Sequence, residues 1–176
     1  VGATNAKGTA ARSDDVMATY SSRGPTHIDR IVKPDLVAPG NKLQSLAAPF
    51  SKLTAKYPEL VSGSGLWRTL TLSGTSQSAA VVAGAAALLL EANPSLRPAQ
   101  VKFALQVTAG RIAGAGVVEQ GAGELNAAAA VLLASKRAQQ ALPATTIAGE
   151  SITSSAIAFN AKPFSQIDGQ TLVWGD

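Results

Sequence analysis

The sequence predicts an α/β fold, because strand-like and helix-like segments alternate along most of the chain. Short apolar strands are indicated at residues 36–38 and 66–72, each followed by a turn that contains glycine. A long helix follows the second of these strands, since the next charged residue is Glu91 and no proline intervenes. Two further helices are predicted at residues 99–107 and 125–140.

The segment ahead of the long helix is predicted to consist of short strands and loops. Besides the two strands above, apolar runs indicate strands at residues 16–20 and 43–46. Gly24-Pro25 is a turn signal, because proline fixes its own backbone and lacks an N–H donor. Residues 47–65 contain two prolines and two glycines, which predicts a long surface loop.

The long helix is built mostly from Ala, Leu and Val, so no side of it is polar. Such a helix is predicted to be buried at the centre of a domain. Its apolar run, residues 79–90, is short and rich in alanine, and we therefore predict no membrane span.

A helix and a short strand are predicted after the long helix. Pro98 suits the first turn of a helix, and Val101, Ala104 and Leu105 would form its apolar face. Residues 117–118, two valines, indicate a short strand.

Pro143 marks a change of composition near the C-terminus. Residues 143–176 are rich in Ser, Thr, Ala and Ile without a helical period, which predicts a β-rich or irregular extension. Ile147 and Ile152 lie in predicted short strands, as do Ile157 and Phe159. We expect deletion of this extension to leave the rest of the fold unchanged.

Charge and cysteine content narrow the classes of function. The chain of 176 residues carries 15 Lys and Arg against 11 Asp and Glu, a formal net charge of +4, and its basic residues are scattered. Nucleic-acid binding is therefore not predicted, because it requires a clustered basic surface. With no cysteine there is no disulfide framework and no thiol chemistry.

The start of the long helix is the candidate catalytic segment. Gly74, Thr75 and Ser76 lead directly into the apolar run. Unpaired backbone N–H groups and the positive end of the helix dipole stabilise negative charge there. A serine hydroxyl that attacks a carbonyl would generate its oxyanion at this place. The alternative is structural, because Ser and Thr are also preferred helix N-caps.

Three regions of the chain, taken in order, resemble one protein family. They are residues 20–25 (YSSRGP) with 33–40 (KPDLVAPG), residues 74–84 (GTSQSAAVVAG) and residues 121–128 (GAGELNAA). These regions are similar to the segments before, at and after the catalytic serine of the subtilisin-like serine peptidases (subtilases, peptidase S8). The resemblance covers about residues 1–135.

For the fold, the resemblance implies the C-terminal portion of a subtilisin-like, parallel-sheet, three-layer α/β structure. Residues 1–142 would form the C-terminal part of the peptidase domain, and residues 143–176 a short β-rich extension. The opening residues 1–5 would then end a core parallel strand.

For the function, the resemblance implies a secreted serine endopeptidase that cleaves polypeptides through an acyl-enzyme on Ser76. The backbone N–H of Ser76 would bind the oxyanion, and the Thr75 hydroxyl would support it. The catalytic Asp and His and the oxyanion Asn precede the serine in this family, so a missing N-terminal segment or a separate chain would supply them. The family usually has proline where this chain has Ala80. Alanine leaves the backbone less constrained near Ser76, so the catalytic rate stays an open point.

Two other functions stay open. One is a non-catalytic interaction or structural chain derived from a peptidase fragment. The other is a small-ester hydrolase that uses Ser76 with His27, although His27 lies in a polar loop and is predicted to be solvent-exposed.

No cofactor is predicted for this chain. Calcium binding stays open at Asp14, Asp15 and Asp35, but calcium takes six to eight oxygen ligands and the sequence shows no dense carboxylate cluster. We also expect the isolated chain to have negligible peptidase activity and to need a partner for a stable fold.

Overall fold

The fold is seen in a computed structural model. It describes residues 1–28, 30–135 and 142–159, together with the backbone of two strands at 164–167 and 170–173.

The core sheet has three strands in the order β2-β1-β3. Strands β1 (Gly2–Asn5) and β3 (Val37–Pro39) run parallel, with Gly2 opposite Val37, and β2 (Val16–Met17) is antiparallel to β1. Ala3 and Thr4 of β1 and Val37 and Ala38 of β3 are fully buried, as is usual for parallel strands covered on both faces. The α/β class and the strand near residues 36–38 are confirmed.

Residues 43–72 form a small lobe with a separate antiparallel sheet in the order β4-β6-β5. Its elements are β4 (Leu43–Leu46), α1 (Lys52–Lys56), β5 (Val61–Ser62) and β6 (Thr69–Leu72), with 3₁₀ turns at Pro58–Leu60 and Gly65–Trp67.

The prediction of a surface loop over residues 47–65 was wrong in part. The Ser51 hydroxyl accepts a hydrogen bond from the Leu53 N–H and so begins helix α1. The chain then returns as β5, in which Val61 pairs with Leu70 of β6. Such a short helix and a two-residue strand depend on contacts within the lobe, which a sequence pattern does not show.

Four elements follow the lobe before the C-terminal region. They are α2 (Thr75–Ala92), α3 (Pro98–Val107), α4 (Val117–Gln120) and α5 (Ala127–Ser135). Three of the helices, α2, α3 and α5, pack on one another around the end of β3. The residues of this core include Leu36, Ala38, Ala85, Leu89, Val101, Leu105, Leu125 and Ala130.

Helix α5 begins two residues later than predicted. The Leu125 N–H donates to the Val37 carbonyl at 2.8 Å, which keeps Leu125 extended beside β3. The Asn126 side chain then accepts the Ala129 N–H at 3.0 Å and caps the helix. The predicted end of this helix, residues 136–140, lies outside the described residues.

The predicted strand at residues 117–118 was wrong, because these residues begin the single turn α4. The Glu119 carboxylate accepts the Gly116 N–H at 2.9 Å and closes the turn. The buried Gln120 amide bonds to the backbone of Ile112 and anchors the turn from inside. Local capping therefore outweighs the β-propensity of the two valines.

Helix α2 was predicted to be buried on all sides, and that prediction was wrong for this chain. Its buried residues are Ser78, Ala85 and Leu89, while Leu88 and Leu90 are 50% and 41% exposed. One face packs on β1, β3 and α5, and the opposite apolar face is open to solvent.

Helix α2 also bears on the prediction of no membrane span. The complete helix, Thr75–Ala92, is longer than the run 79–90 considered from sequence, and it is long and apolar enough to cross a membrane by length and composition. Core helices pass the same test. Its packing on the parallel strands is that of a core helix.

The C-terminal region contains two antiparallel hairpins, which agrees with the predicted β-rich character. Strands β7 (Thr145–Ile147) and β8 (Glu150–Ile152) form the first, and β9 (Phe164–Ile167) and β10 (Gln170–Val173) the second. Ile157 and Phe159 lie outside these strands.

The first hairpin and the residues after it contact the core directly. The Glu150 carboxylate accepts the backbone N–H groups of Arg12 and Ser13 at 2.6 and 2.9 Å. The Ser155 N–H donates to the Ala109 carbonyl at 2.8 Å. These contacts argue against the expectation that deleting the extension leaves the fold unchanged.

Candidate active site

Ser76 lies in the first turn of α2, four residues after the end of β6. The N-cap position is Gly74, and no side chain caps the helix. The structural alternative, that Thr75 or Ser76 serves as the N-cap, is therefore not what this geometry shows.

Gly40 holds the segment that precedes the helix. Its carbonyl accepts two hydrogen bonds of 2.8 Å, one from the Gly74 N–H and one from the Tyr20 hydroxyl, and its own N–H donates to Thr4 of β1 at 3.0 Å. A Cβ at Gly40 would lie 2.7 Å from the Gly74 carbonyl oxygen and 2.9 Å from the Ala3 Cβ. The close approach of these two backbone segments therefore requires glycine at position 40.

Ser78 anchors the first turn from the buried side of the helix. Its hydroxyl donates to the Ala38 carbonyl at 2.9 Å, and the residue is fully buried. Sequence reasoning treated Ser78 only as a small residue, but the hydroxyl bonds the helix to β3. A polar residue at the start of an apolar helix was the available signal.

The Ser76 side chain is exposed, and within the described part of the chain its hydroxyl makes no hydrogen bond. The first helical bonds are made by the N–H groups of Gln77 and Ser78, both to the Gly74 carbonyl. The N–H groups of Thr75 and Ser76 have no acceptor among the described residues, as expected at a helix start. An exposed hydroxyl and backbone N–H groups without an acceptor are thus adjacent at the helix start.

His27 lies exposed in the turn that leads from β2 to β3. Over residues 1–28, 30–135 and 142–159, no contact links it or any carboxylate to Ser76. Among the described residues, no histidine or carboxylate is therefore placed to accept a proton from the Ser76 hydroxyl.

Asp35 is engaged by two lysines. Lys33 and Lys102 donate to its carboxylate at 2.6 and 2.7 Å. Burial alone would raise the pKa of Asp35, but the hydrogen bonds from Lys102 and Lys33 outweigh it and hold the pKa below its ordinary value. The two lysines already neutralise this carboxylate. No group of three or more metal-ligating His, Cys, Asp or Glu side chains occurs in the part of the chain that the structure describes.

Asp15 belongs to a buried charged cluster that sequence reasoning missed. The Glu124 carboxylate accepts the Thr4 hydroxyl and pairs with Arg12 at 2.6 Å, while Asp15 lies 3.7 Å from the same guanidinium. Burial raises the pKa of Asp15 to about 7, with the hydrogen bond and charge of Glu124 adding to it and Arg12 opposing it. The cluster joins the 121–128 segment to β1.

Comparison with known proteins places these features in a family. The family model for peptidase S8, described as the Subtilase family, matches residues 1–149. The serine protease AprX of Bacillus subtilis is 42% identical over 106 residues, which is 60% of this chain and 23% of that protein. The subtilisin-like protease SBT1.9 of Arabidopsis thaliana is 40% identical over 95 residues, which is 53% of this chain and 12% of that protein.

Two solved structures share the fold. Fervidolysin from Fervidobacterium pennivorans, a keratinolytic enzyme related to subtilisin, matches 81% of this chain and 19% of its own with a TM-score of 0.55 and 24% identity. The CspB protease of Clostridium perfringens matches 69% of this chain and 25% of its own, with a TM-score of 0.52 and 27% identity. The chain thus spans a quarter or less of the length of each of these four proteins.

Proposed function

Because the chain belongs to the subtilase family, we propose that Ser76 is the nucleophile of a serine endopeptidase that cleaves polypeptides. The observation that carries the proposal is the exposed, unpaired Ser76 hydroxyl in the first turn of α2, on a segment fixed by Gly40 and Ser78. A hydroxyl held by fixed backbone contacts at the start of a packed helix is what a positioned nucleophile requires.

In the proposed reaction, the Ser76 hydroxyl attacks the scissile carbonyl and forms an acyl-enzyme, which water then hydrolyses. The carbonyl oxygen becomes an oxyanion, and the N–H of Ser76 donates to it. The Thr75 hydroxyl lies on the adjacent residue and would support the same charge. A base must take the proton from the Ser76 hydroxyl, because a neutral alcohol is a weak nucleophile.

We assign that base to a complementary N-terminal segment or chain that carries His, Asp and the oxyanion Asn. The open apolar face of α2 supports this assignment, since Leu88 and Leu90 are about half exposed in a helix whose other side is a packed core. The relatives are also several times longer than the region they share with this chain. We propose an extracellular location for the assembled enzyme, which detection in culture medium would test.

The second candidate function is a non-catalytic interaction or structural chain. It is favoured by one observation, that no described histidine or carboxylate contacts Ser76. The two functions differ in whether Ser76 becomes reactive when every co-purifying polypeptide is retained.

A fluorophosphonate probe tests the proposed function directly. We expect it to label Ser76 in protein purified from its own source, and the Ser76→Ala variant to lose the label. Loss of a triad serine costs on the order of 10⁶ in kcat in such enzymes. The matched control is Ser64→Ala, which removes an exposed serine of the lobe. Labelling that survives Ser76→Ala would contradict the assignment, and His27→Ala would reveal whether that residue serves as the base.

A further inference from the structure

The lobe of residues 43–72 carries an unusual combination of exposed side chains. Four large apolar residues stand nearly free in solvent, namely Leu46, Phe50, Leu66 and Trp67, which are between 74% and 103% exposed. The charged residues of the lobe are three cations, Lys52, Lys56 and Arg68, against one acid, Glu59. Single exposed apolar residues are normal on a surface, but four of them in one small lobe, together with an excess of cations, indicate a binding surface.

Three of these side chains, Phe50, Lys52 and Arg68, line an open groove of about 430 Å³. The groove is lined by Phe50, Ser51, Lys52, Thr54, Ala55 and Arg68. The charges of Lys52 and Arg68 are exposed, and neither takes part in an ion pair within the described part of the chain. Two cations that line one groove and have no ion-pair partner among the described residues favour an anionic group beside them.

Phe50 is placed in a way that packing does not explain. Its backbone has φ of 58°, a region that costs a bulky residue free energy, and its side chain is fully exposed. The positive φ belongs to the third position of a turn that the Ser51 N–H closes on the Ala48 carbonyl at 3.3 Å, and this turn leaves the Phe50 side chain in solvent. An aromatic ring held out at the edge of a groove is suited to cover an apolar side chain of a ligand.

The groove lies within reach of a polypeptide bound at Ser76. Arg68 directly precedes β6, and β6 leads to the nucleophile segment at Ser73. The distance along this strand is on the order of 15–20 Å, which an extended polypeptide covers with about six residues. A substrate could therefore occupy both places at once.

We propose that this groove is a secondary binding site for an acidic polypeptide segment, with an acidic side chain between Lys52 and Arg68 and an apolar side chain against Phe50. We take this segment to be part of the polypeptide substrate, and that statement rests on the proposed function. Binding of the acidic segment to the groove does not depend on it. The concave shape and the mixture of hydroxyl, cationic and aromatic side chains favour a polypeptide over a lipid surface, which would not need a groove.

The test measures fluorescence anisotropy of labelled peptides on the complete 176-residue chain carrying Ser76→Ala, with any co-purifying polypeptide retained. One synthetic octapeptide contains three Asp or Glu residues and one Phe, and a second has Asn or Gln in place of the acids. We expect the acidic peptide to bind at least about tenfold more tightly, and its affinity to fall as NaCl rises from about 50 to about 500 mM.

Charge reversal locates the site. Lys52→Glu with Arg68→Glu should weaken binding of the acidic peptide by tenfold or more, which is about the effect of one lost charge-assisted hydrogen bond. Lys7→Glu with Arg97→Glu changes the net charge equally on exposed residues outside the lobe and should change affinity less than about twofold. If the first variant does not fold, Lys52→Gln with Arg68→Gln removes the same donors with a smaller change of charge.

Equal binding of the two peptides, or equal losses in the lobe and control variants, would overturn the proposal. If phosphatidylglycerol vesicles bind the complete chain and the acidic peptide does not, the proposal would also be overturned, in favour of a lipid surface. Peptide binding with Ser76 unreactive to the fluorophosphonate probe would leave the groove intact and contradict only the proposed function.

Discussion

At the scale of single residues, Asp15 has the most perturbed environment of the described carboxyl groups. It shares one guanidinium, that of Arg12, with the buried carboxylate of Glu124. One Asp15 oxygen is buried without any hydrogen-bond partner in the described structure. Ionising both acids therefore leaves one negative charge uncompensated in the interior.

This cluster predicts a specific dependence of stability on pH. The folded pKa of Asp15, about 7, is raised above its unfolded value of 3.8, so the native state binds the extra proton between these values. The free energy of unfolding should therefore fall as pH rises from about 4 to about 7 and stay lower above that range. Asp15→Asn should stabilise the chain at about pH 8 by on the order of 1–2 kcal/mol and have little effect at about pH 4.

Thermal unfolding across this pH range measures the effect. Asp14→Asn is the matched control, because Asp14 bonds to the Thr9 hydroxyl at the surface and lies outside the buried cluster. An Asp15→Asn variant that is less stable than the parent chain at about pH 8 would show that the charged form stabilises the fold.

Gly40 provides a second prediction at this scale. Gly40→Ala places a methyl group 2.7 Å from the Gly74 carbonyl oxygen, so the backbone before Ser76 must move. We expect a loss of about 2–4 kcal/mol in the free energy of unfolding and slower labelling of Ser76. Gly84→Ala is the matched control, because nothing lies within 4 Å of a Cβ there and a helical alanine should stabilise by up to about 1 kcal/mol. Equal stability of the two variants would contradict the role given to Gly40.

At the scale of elements, the two faces of α2 have opposite roles. Leu89 is fully buried against the core, while its neighbours Leu88 and Leu90 are about half exposed. Leu89→Ala should cost about 2–5 kcal/mol, whereas Leu88→Gln should change stability by less than about 1 kcal/mol and reduce self-association of the isolated chain. Chemical denaturation and light scattering distinguish these effects. Equal destabilisation by both variants would show that the second face is also packed in this chain.

The elements also show what the sequence could predict. The start of α2 was predictable because Gly74 precedes a long uncharged run, and Ser76 was predictable because its segment resembles that of a known family. The single turn α4 was not, since the Glu119 cap and the buried Gln120 amide outweigh the propensity of two valines. Tyr20, Gly40 and Ser78 support the candidate site through contacts between distant segments, which local patterns do not contain.

The one-sided burial of α2 was missed for a related reason. Composition indicates that a helix is apolar, but it does not show whether the covering surface belongs to the same chain. Apart from Ser76 and Glu91, the exposed residues of α2 are as apolar as the buried ones. The same limit applies to the lobe, because composition does not show whether large apolar residues such as Phe50 and Trp67 are covered, and both are exposed in this chain.

At the scale of the whole molecule, the described chain contains an exposed serine at a helix start, backbone N–H groups without an acceptor beside it, and an incompletely covered core helix. A helix start without a base supplies only a few kcal/mol of transition-state stabilisation. The triad contributes roughly 8–9 kcal/mol, at about 1.4 kcal/mol for each tenfold change in rate. The apolar face of α2 and the short parallel sheet would both be covered by further strands and helices.

The central claim is that Ser76 becomes a nucleophile only in the presence of a second segment or chain that carries the base. The most direct measurement is size-exclusion chromatography with mass spectrometry of the purified chain, combined with a peptide-cleavage assay on each fraction. We predict that the isolated chain self-associates or is retained with a second polypeptide, and that cleavage occurs only in fractions that contain that polypeptide. A cooperatively folded monomer of 17.8 kDa that cleaves the peptide, with no second polypeptide detectable, would contradict the account.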